Sequence, residues 1–285
     1  MKKRGKKMVI LLAIVVLIGI ILVYFNIPYS PVKQSFNNKV NAAIAKQPDL
    51  SSEKFTKEDF AHLPLPVQKY MEHCGYIGKP KMSYMKIPFY DVDFMQGREG
   101  KKLVIDYTQY DFVKAPDRYA LIESRMMGIP FEGLDSFTDG VGGMKGTLAK
   151  SITLFNETGT DMDKACLVTY LAESLFIPTS LLQGYITLEE IDDYHVKGII
   201  SYNGVKAEGI FTFNEKYEMI SFETNDRVEM GTNGNIEYVP WLAICKDYEK
   251  NENGYIHPTV FQGVRRYDDG DFLYFDGKLE GIEYR

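Results

Sequence analysis

Histidines, cysteines and a few placed carboxylates are the residues of this chain that could do chemistry. His62, His73, His195 and His257 fall in four separate segments, with no HExxH or other paired spacing that would hold a metal. A solitary histidine in such a setting packs or is solvated. Cys74, Cys166 and Cys245 are far apart and odd in number, and no CxxC or Cys-His spacing accompanies them. They allow at most one disulfide within the chain, and three reduced, buried thiols is the preferred reading. The chain has no GxSxG elbow and no GxxxxGK[ST] phosphate loop.

Among the acids, Asp268-Asp269-Gly270-Asp271 lacks the spaced ligands and closing glutamate of a calcium loop and reads as a hairpin turn. Glu189-Glu190-Ile191-Asp192-Asp193 reads as a polar turn before a strand, and Asp139-Gly140-Val141-Gly142-Gly143, with Asp135 close before it, as a bent loop. Glu173 stands apart, because it falls near the end of an otherwise apolar helix, where a carboxylate opposes the helix dipole. A hydrolase would draw on Glu173 or Asp139, but no catalytic residue, metal ligand or cofactor is assigned from these patterns.

The element that fixes where such chemistry would act is the apolar run 8–25, which follows the cations Lys2, Lys3, Arg4, Lys6 and Lys7. Eighteen helical residues rise roughly 27 Å, close to the hydrocarbon thickness of a bilayer. The run is long for a signal peptide, and no small-x-small cleavage site follows it. It reads as a retained single-pass anchor, with residues 1–7 a cytoplasmic tail and the rest extracytoplasmic by the positive-inside rule. Setting aside the five cations takes the net charge from the −6 of the whole chain to −11 for the remainder, which disfavours nucleic acid as a partner. Residues 26–54, with Pro28, Pro31 and Pro48, read as a stalk carrying a short helix near 40–46.

Residues 55–285 read as one β-rich domain. Thr56 caps a short turn, Leu63-Pro64-Leu65-Pro66 breaks it, and a helix over 67–73 stops at Gly75. Strands follow from Met82. In the segment 102–112, Leu103, Ile105 and Tyr107 share one face. Asn203-Gly204 between two alternating runs marks a hairpin, with further strands over 217–224, 236–247, 255–265 and 272–284. Gly231-Thr232-Asn233-Gly234 and Asn251-Glu252-Asn253-Gly254 read as turns between them. One helix, 161–176, interrupts the strands and is apolar around most of its circumference, so it must be buried on several sides.

Several of these stretches together resemble an uncharacterised bacterial family, domain of unknown function 6544. The resemblance rests on Leu63-Pro64-Leu65-Pro66-Val67-Gln68-Lys69-Tyr70 before Gly75, on Asp139-Gly140-Val141-Gly142, and on Leu171-Ala172-Glu173 with Pro178 and Leu181-Leu182. Pro240-Trp241 and His257-Pro258 also fit, while Phe176 stands where the family often has tryptophan. The family brings no agreed activity. Its layout looks like the open barrels of bacterial lipoprotein carriers and related envelope lipid-binding proteins.

The expected fold is therefore mainly β with an inserted helix: a transmembrane helix, then an antiparallel incomplete barrel wrapped on the helix 161–176. The expected function is holding or sensing an apolar envelope molecule, a lipid or acyl chain, with Tyr170, Leu171, Phe176, Phe211, Phe213 and Trp241 as lining residues. A hydrolase and a non-catalytic structural or signalling ectodomain are the alternatives, and the oligomeric state is left open.

Overall fold

The computed structural model describes residues 2–230 and 236–285, so the turn expected at 231–234 lies outside the described residues. Helix α1 (Lys2–Asn26) contains the apolar run, and its most apolar window has mean hydropathy 3.3 with nothing packed over it. By length and composition it can cross a membrane. Helix α2 (Pro31–Ile44) follows directly. The prolines that read as stalk have a different role at this point. Ser30 caps the helix by accepting the Lys33 N–H at 3.0 Å, and Pro31 sits in the first turn, where it loses no hydrogen bond. Val32, Phe36, Val40 and Ala43 then form one buried stripe against Phe112, Tyr119 and Leu121.

Helices α3 (Lys57–Phe60), with a Thr56–Asp59 capping box, and α4 (Leu65–His73) fall where the sequence places them. A first meander comprises β1 (Tyr84–Met95), β2 (Lys102–Phe112), β3 (Arg118–Met126), β4 (Ile129–Thr138), β5 (Val141–Leu148) and β6 (Ile152–Thr158). Helix α5 (Thr160–Glu173) continues through two short 3-10 turns, Ser174–Phe176 and Pro178–Leu182. The second meander is β7 (Ile186–Asp192), β8 (His195–Tyr202), β9 (Val205–Phe213), β10 (Met219–Thr224), β13 (Trp241–Lys250), β14 (Ile256–Tyr267) and β15 (Gly270–Leu279). A small ribbon, β11 (Glu229–Met230) with β12 (Ile236–Glu237), precedes β13, and β16 (Glu283–Tyr284) ends the chain beside β1.

All of these strands except the ribbon form one open antiparallel sheet of 14 strands, ordered β6-β5-β4-β3-β2-β1-β15-β14-β13-β10-β9-β8-β7, with β16 pairing β1 off this path. The last strand of the first meander and the first strand of the second are therefore opposite edges, and the chain between them must cross the sheet. Helix α5 makes that crossing, touching β4, β5 and β6 on one side and β8 and β9 on the other. This explains its apolar circumference: Leu167, Val168, Tyr170, Leu171 and Ala172 are all buried. The sheet curls far enough that the β4–β5 turn meets the β8–β9 turn, where a Cβ on Gly140 would lie 2.7 Å from the Cβ of Asn203. The expected incomplete barrel around a helix is what forms. Helix α2 packs on the other face of the sheet, against β2, β3 and β4.

Two polar stretches are strands rather than loops. Val141, Gly142 and Gly143 belong to β5, and Glu189 to Asp192 belong to β7. Glycine in β5 admits close neighbours, and an acidic edge strand is a common defence against unwanted pairing, so neither stretch shows strand-like apolar alternation.

Candidate functional site

The alternation of β2 puts Leu103, Ile105, Tyr107, Gln109 and Asp111 on the concave face that looks toward α5. Cross-strand register adds Arg118 and Ile122 from β3 and Asp135 from β4. Helix α5 does not cover this face completely. Phe94, Leu103, Tyr107, Met144, Phe155 and Phe275 pack against the core yet stay half-buried. Their rings interlock edge to face: Phe275 with Phe89 and Tyr107, both at 5.7 Å, and Phe94 with Tyr274 at 6.0 Å. These partly exposed side chains make an aromatic-rich patch, here termed the cup, on the concave face.

One side of the cup is α5 itself. Met162, Cys166, Thr169 and Glu173 recur at helical spacing, and each of the last three makes a polar contact along this edge. Glu173 accepts from Arg118 Nε at 2.9 Å. Arg118, 2% exposed, also donates Nη1 to Asp135 at 2.8 Å and Nη2 to the Tyr107 hydroxyl at 2.5 Å and to Gln109 at 3.2 Å. Asp111, fully buried, lies 3.6 Å from Arg118 Nε and accepts from Gln109 at 2.8 Å. Cys166 donates its thiol to Asp135 at 3.4 Å.

Burial opposes the Arg118 charge, but Glu173, Asp135 and Asp111 outweigh it and hold the guanidinium protonated. Burial, reinforced by the charge of Glu173, pushes the Asp111 carboxyl well above the usual range, while Arg118 and the hydrogen bond from Gln109 pull it back. Its Oδ1, 3.6 Å from Arg118 Nε, makes no hydrogen bond among the described residues. Asp135 and Glu173 retain 15% and 18% side-chain exposure, so the two carboxylates form the wet floor of an apolar wall. On the far rim, Arg227 donates to Thr169 at 3.0 Å and to the Tyr274 hydroxyl at 3.1 Å, and it stacks on Trp241 at 4.7 Å.

Of the residues expected to line a ligand space, Tyr170, Leu171, Phe211 and Phe213 are packed into the core. Tyr170 donates to the Phe112 carbonyl at 2.7 Å, Phe211 packs on Phe222 at 4.7 Å, and Phe213 packs on Tyr70 at 5.9 Å. Phe176 is also buried, edge-on to the half-buried Phe261 at 5.1 Å. Trp241 borders the cup, donating its indole N–H to Tyr274 at 2.8 Å. Glu173 is drawn into the ion cluster, whereas Asp139 sits exposed in the β4–β5 turn.

Of the cluster residues, Asp111 carried a legible signal. Continuing the Leu103-Ile105-Tyr107 face by two steps reaches Gln109 and Asp111, which places a carboxyl in an apolar register. The histidines stay outside the cup. His257 is held by the hydroxyls of Tyr284 at 2.9 Å and Tyr76 at 3.3 Å, and burial lowers it to about 4. Among the described residues no group of histidines, cysteines and acids is arranged to hold a metal, and all three cysteines are free and buried. A separate cleft of about 380 Å³ lies at the root of α1, lined by Phe25, Pro28, Lys33, Val104, Arg125 and Lys150 among others.

The model of a family of unknown function, DUF6544, matches residues 53–277. No functionally curated protein matches the chain. Among solved structures, a domain from Vibrio parahaemolyticus described as that of an outer membrane lipoprotein-sorting protein is similar at 10% identity and TM-score 0.42, covering 77% of this chain and 91% of that one. A DUF1329 family protein from Desulfovibrio piger is similar at 11% identity and TM-score 0.41, covering 81% of this chain and 94% of that one.

Proposed function

We propose, from the premise that the chain belongs to this family of unknown function, that it is a single-pass anchored, extracytoplasmic protein that holds an apolar envelope molecule, a lipid or acyl chain, in the aromatic cup. The observation that carries this reading is the set of Phe94, Leu103, Tyr107, Met144, Phe155 and Phe275, apolar side chains of the concave face that stay partly exposed. A domain needing only a solid core would gain by covering them, since each square ångström of apolar surface kept from water is worth about 25 cal/mol. Apolar walls with a few convergent polar groups are the usual make-up of small-molecule sites. In this reading the acyl chain lies on the aromatic wall, and the polar end meets the Glu173–Asp135 floor. Trp241 and Phe176 border the site, and the other four expected lining residues support it from behind.

The hydrolytic alternative has less support. Glu173 is engaged by Arg118, and Asp139 belongs to a turn with no part in the cup. The test is native mass spectrometry of the full chain, extracted from its own membrane in a mild detergent, beside Met144→Trp. The wild type should carry a co-purifying lipid mass, and the larger side chain in the cup should expel it while circular dichroism stays unchanged. A wild-type chain free of lipid, and unable to take any up from vesicles, would overturn the reading in favour of a scaffold.

A further inference from the structure

The end of α1 is held by the ends of two hairpins. Lys150, in the β5–β6 turn, is 4% exposed and donates Nζ to three carbonyls, those of Tyr24 at 2.9 Å, Ile27 at 2.7 Å and Tyr29 at 3.1 Å. These contacts satisfy carbonyls at the C-terminal end of α1 and place a cation where the helix dipole favours one. Arg125, at the end of β3, donates to Asn26 at 3.1 Å and to the Gly128 carbonyl at 3.3 Å. The anchor and the sheet are thus joined through the β3–β4 and β5–β6 turns.

The β3–β4 turn has an unusual residue at its tip. Met127 has φ +51° and Gly128 φ +82°, the geometry in which the β8–β9 turn uses Asn203-Gly204. Asparagine tolerates positive φ far better than methionine does. Met127 is also 92% exposed, so folding gains nothing from its side chain. Ile152, just past the β5–β6 turn, and Tyr29, in the chain leaving α1, are likewise apolar and exposed. These three residues sit on the segments that Lys150 and Arg125 bring to the end of the anchor.

We infer that the β3–β4 and β5–β6 turns form a membrane-contacting edge, with Met127 inserted in the outer leaflet of the bilayer that α1 spans. This inference rests on the reading of α1 as an anchor and of the cup as an acyl site. The occupant is lipid because the clamp on α1 fixes these turns at the level where its apolar run ends. Met126 and Leu148 come from the same strand ends, Phe155 lies midway along β6, and all three are half-buried on the concave side. The cup therefore opens beside the leaflet, and an acyl chain enters it from the membrane without crossing water.

The test places an environment-sensitive NBD fluorophore on Met127→Cys in the full chain, reconstituted into phosphatidylcholine–phosphatidylglycerol vesicles at 3:1. Asn253→Cys, in the exposed β13–β14 turn, is the comparison. Lipids carrying a doxyl quencher near the head group should quench the label at 127 several-fold more than the label at 253, with a blue-shifted emission at 127 only. Equal quenching at both sites in a chain that floats with the vesicles would overturn the membrane edge alone, leaving the cup as a ligand site. A chain that fails to float would overturn the edge together with the anchor.

Discussion

Arg118 is the residue on which the concave face turns. It is buried beside Asp111 and against the partly exposed Glu173 and Asp135, and removing its guanidinium would leave these carboxyl groups without their cation. Breaking such a pair from one side costs about 3–5 kcal/mol. Arg118→Leu should therefore lower the thermal midpoint of the full chain in detergent by ten degrees or more. Asp111→Asn should shift it by only a few degrees, because burial and the charge of Glu173 already push the Asp111 carboxyl toward its neutral form. Equal losses would mean that Asp111 is ionised and shares the charge of the site.

His257 gives the pH counterpart. Burial lowers its folded value from 6.5 to about 4, so the unfolded chain takes up a proton first as pH falls. Its contribution to stability is complete above pH 6.5, declines as pH drops, and is fully lost near pH 4. A shift of that size corresponds to about 3 kcal/mol. Asp111, raised rather than lowered, works in the opposite sense over part of the same range. The quantity to measure is therefore the difference between wild type and His257→Gln in urea unfolding at pH 7 and pH 4.5. The wild type should lose more stability between those values than the variant, and parallel losses would remove His257 from the account.

Among the elements, the β8–β9 hairpin was the most legible. Both Asn203 and Gly204 have positive φ, 47° and 84°, as an Asn-Gly turn requires. A Cβ at Gly204 would meet nothing within 4 Å, so Gly204→Val tests the backbone alone. It should cost about 1–2 kcal/mol, a drop of a few degrees in melting temperature, whereas the solvent-facing Lys206→Thr should cost almost nothing. Matching effects would place the register elsewhere. Strands β2, β8 and β9 were legible for the same reason: one face of each meets the core and the other meets water, so the period of two survives in the sequence. The polar edge strand β7 and glycine-bearing β5 offered no such contrast. Helix α2 was read mostly as stalk because Pro31 looks like a breaker until its place in the first turn, after Ser30, is known.

On the scale of the whole molecule, the inserted helix could be recognised from its apolar circumference, and the crossing it makes from edge to edge explains that circumference. The cup was not legible in the same way. Its wall is built from β1, β2, β5, β6 and β15, strands brought together by a sheet order that no local pattern encodes. The expected lining residues Tyr170, Leu171, Phe176, Phe211, Phe213 and Trp241 are all buried in the core, as large apolar side chains on or near the helix are bound to be. What distinguishes Phe94, Leu103 and Met144 is that they pack against the core and stay partly exposed, a consequence of packing rather than of composition.

Trp241 offers the most direct test of the central claim. It is the only tryptophan in the chain, and its indole hydrogen-bonds Tyr274 at the rim of the cup. A short brominated fatty acid, kept below its micelle concentration, should quench the Trp241 emission saturably in the wild-type chain. Leu103→Lys, which puts a charge on the cup wall, should abolish the saturable part while the far-ultraviolet circular dichroism is unchanged. Absence of saturable quenching in the wild type, or equal quenching in both proteins, would contradict an acyl site in the cup.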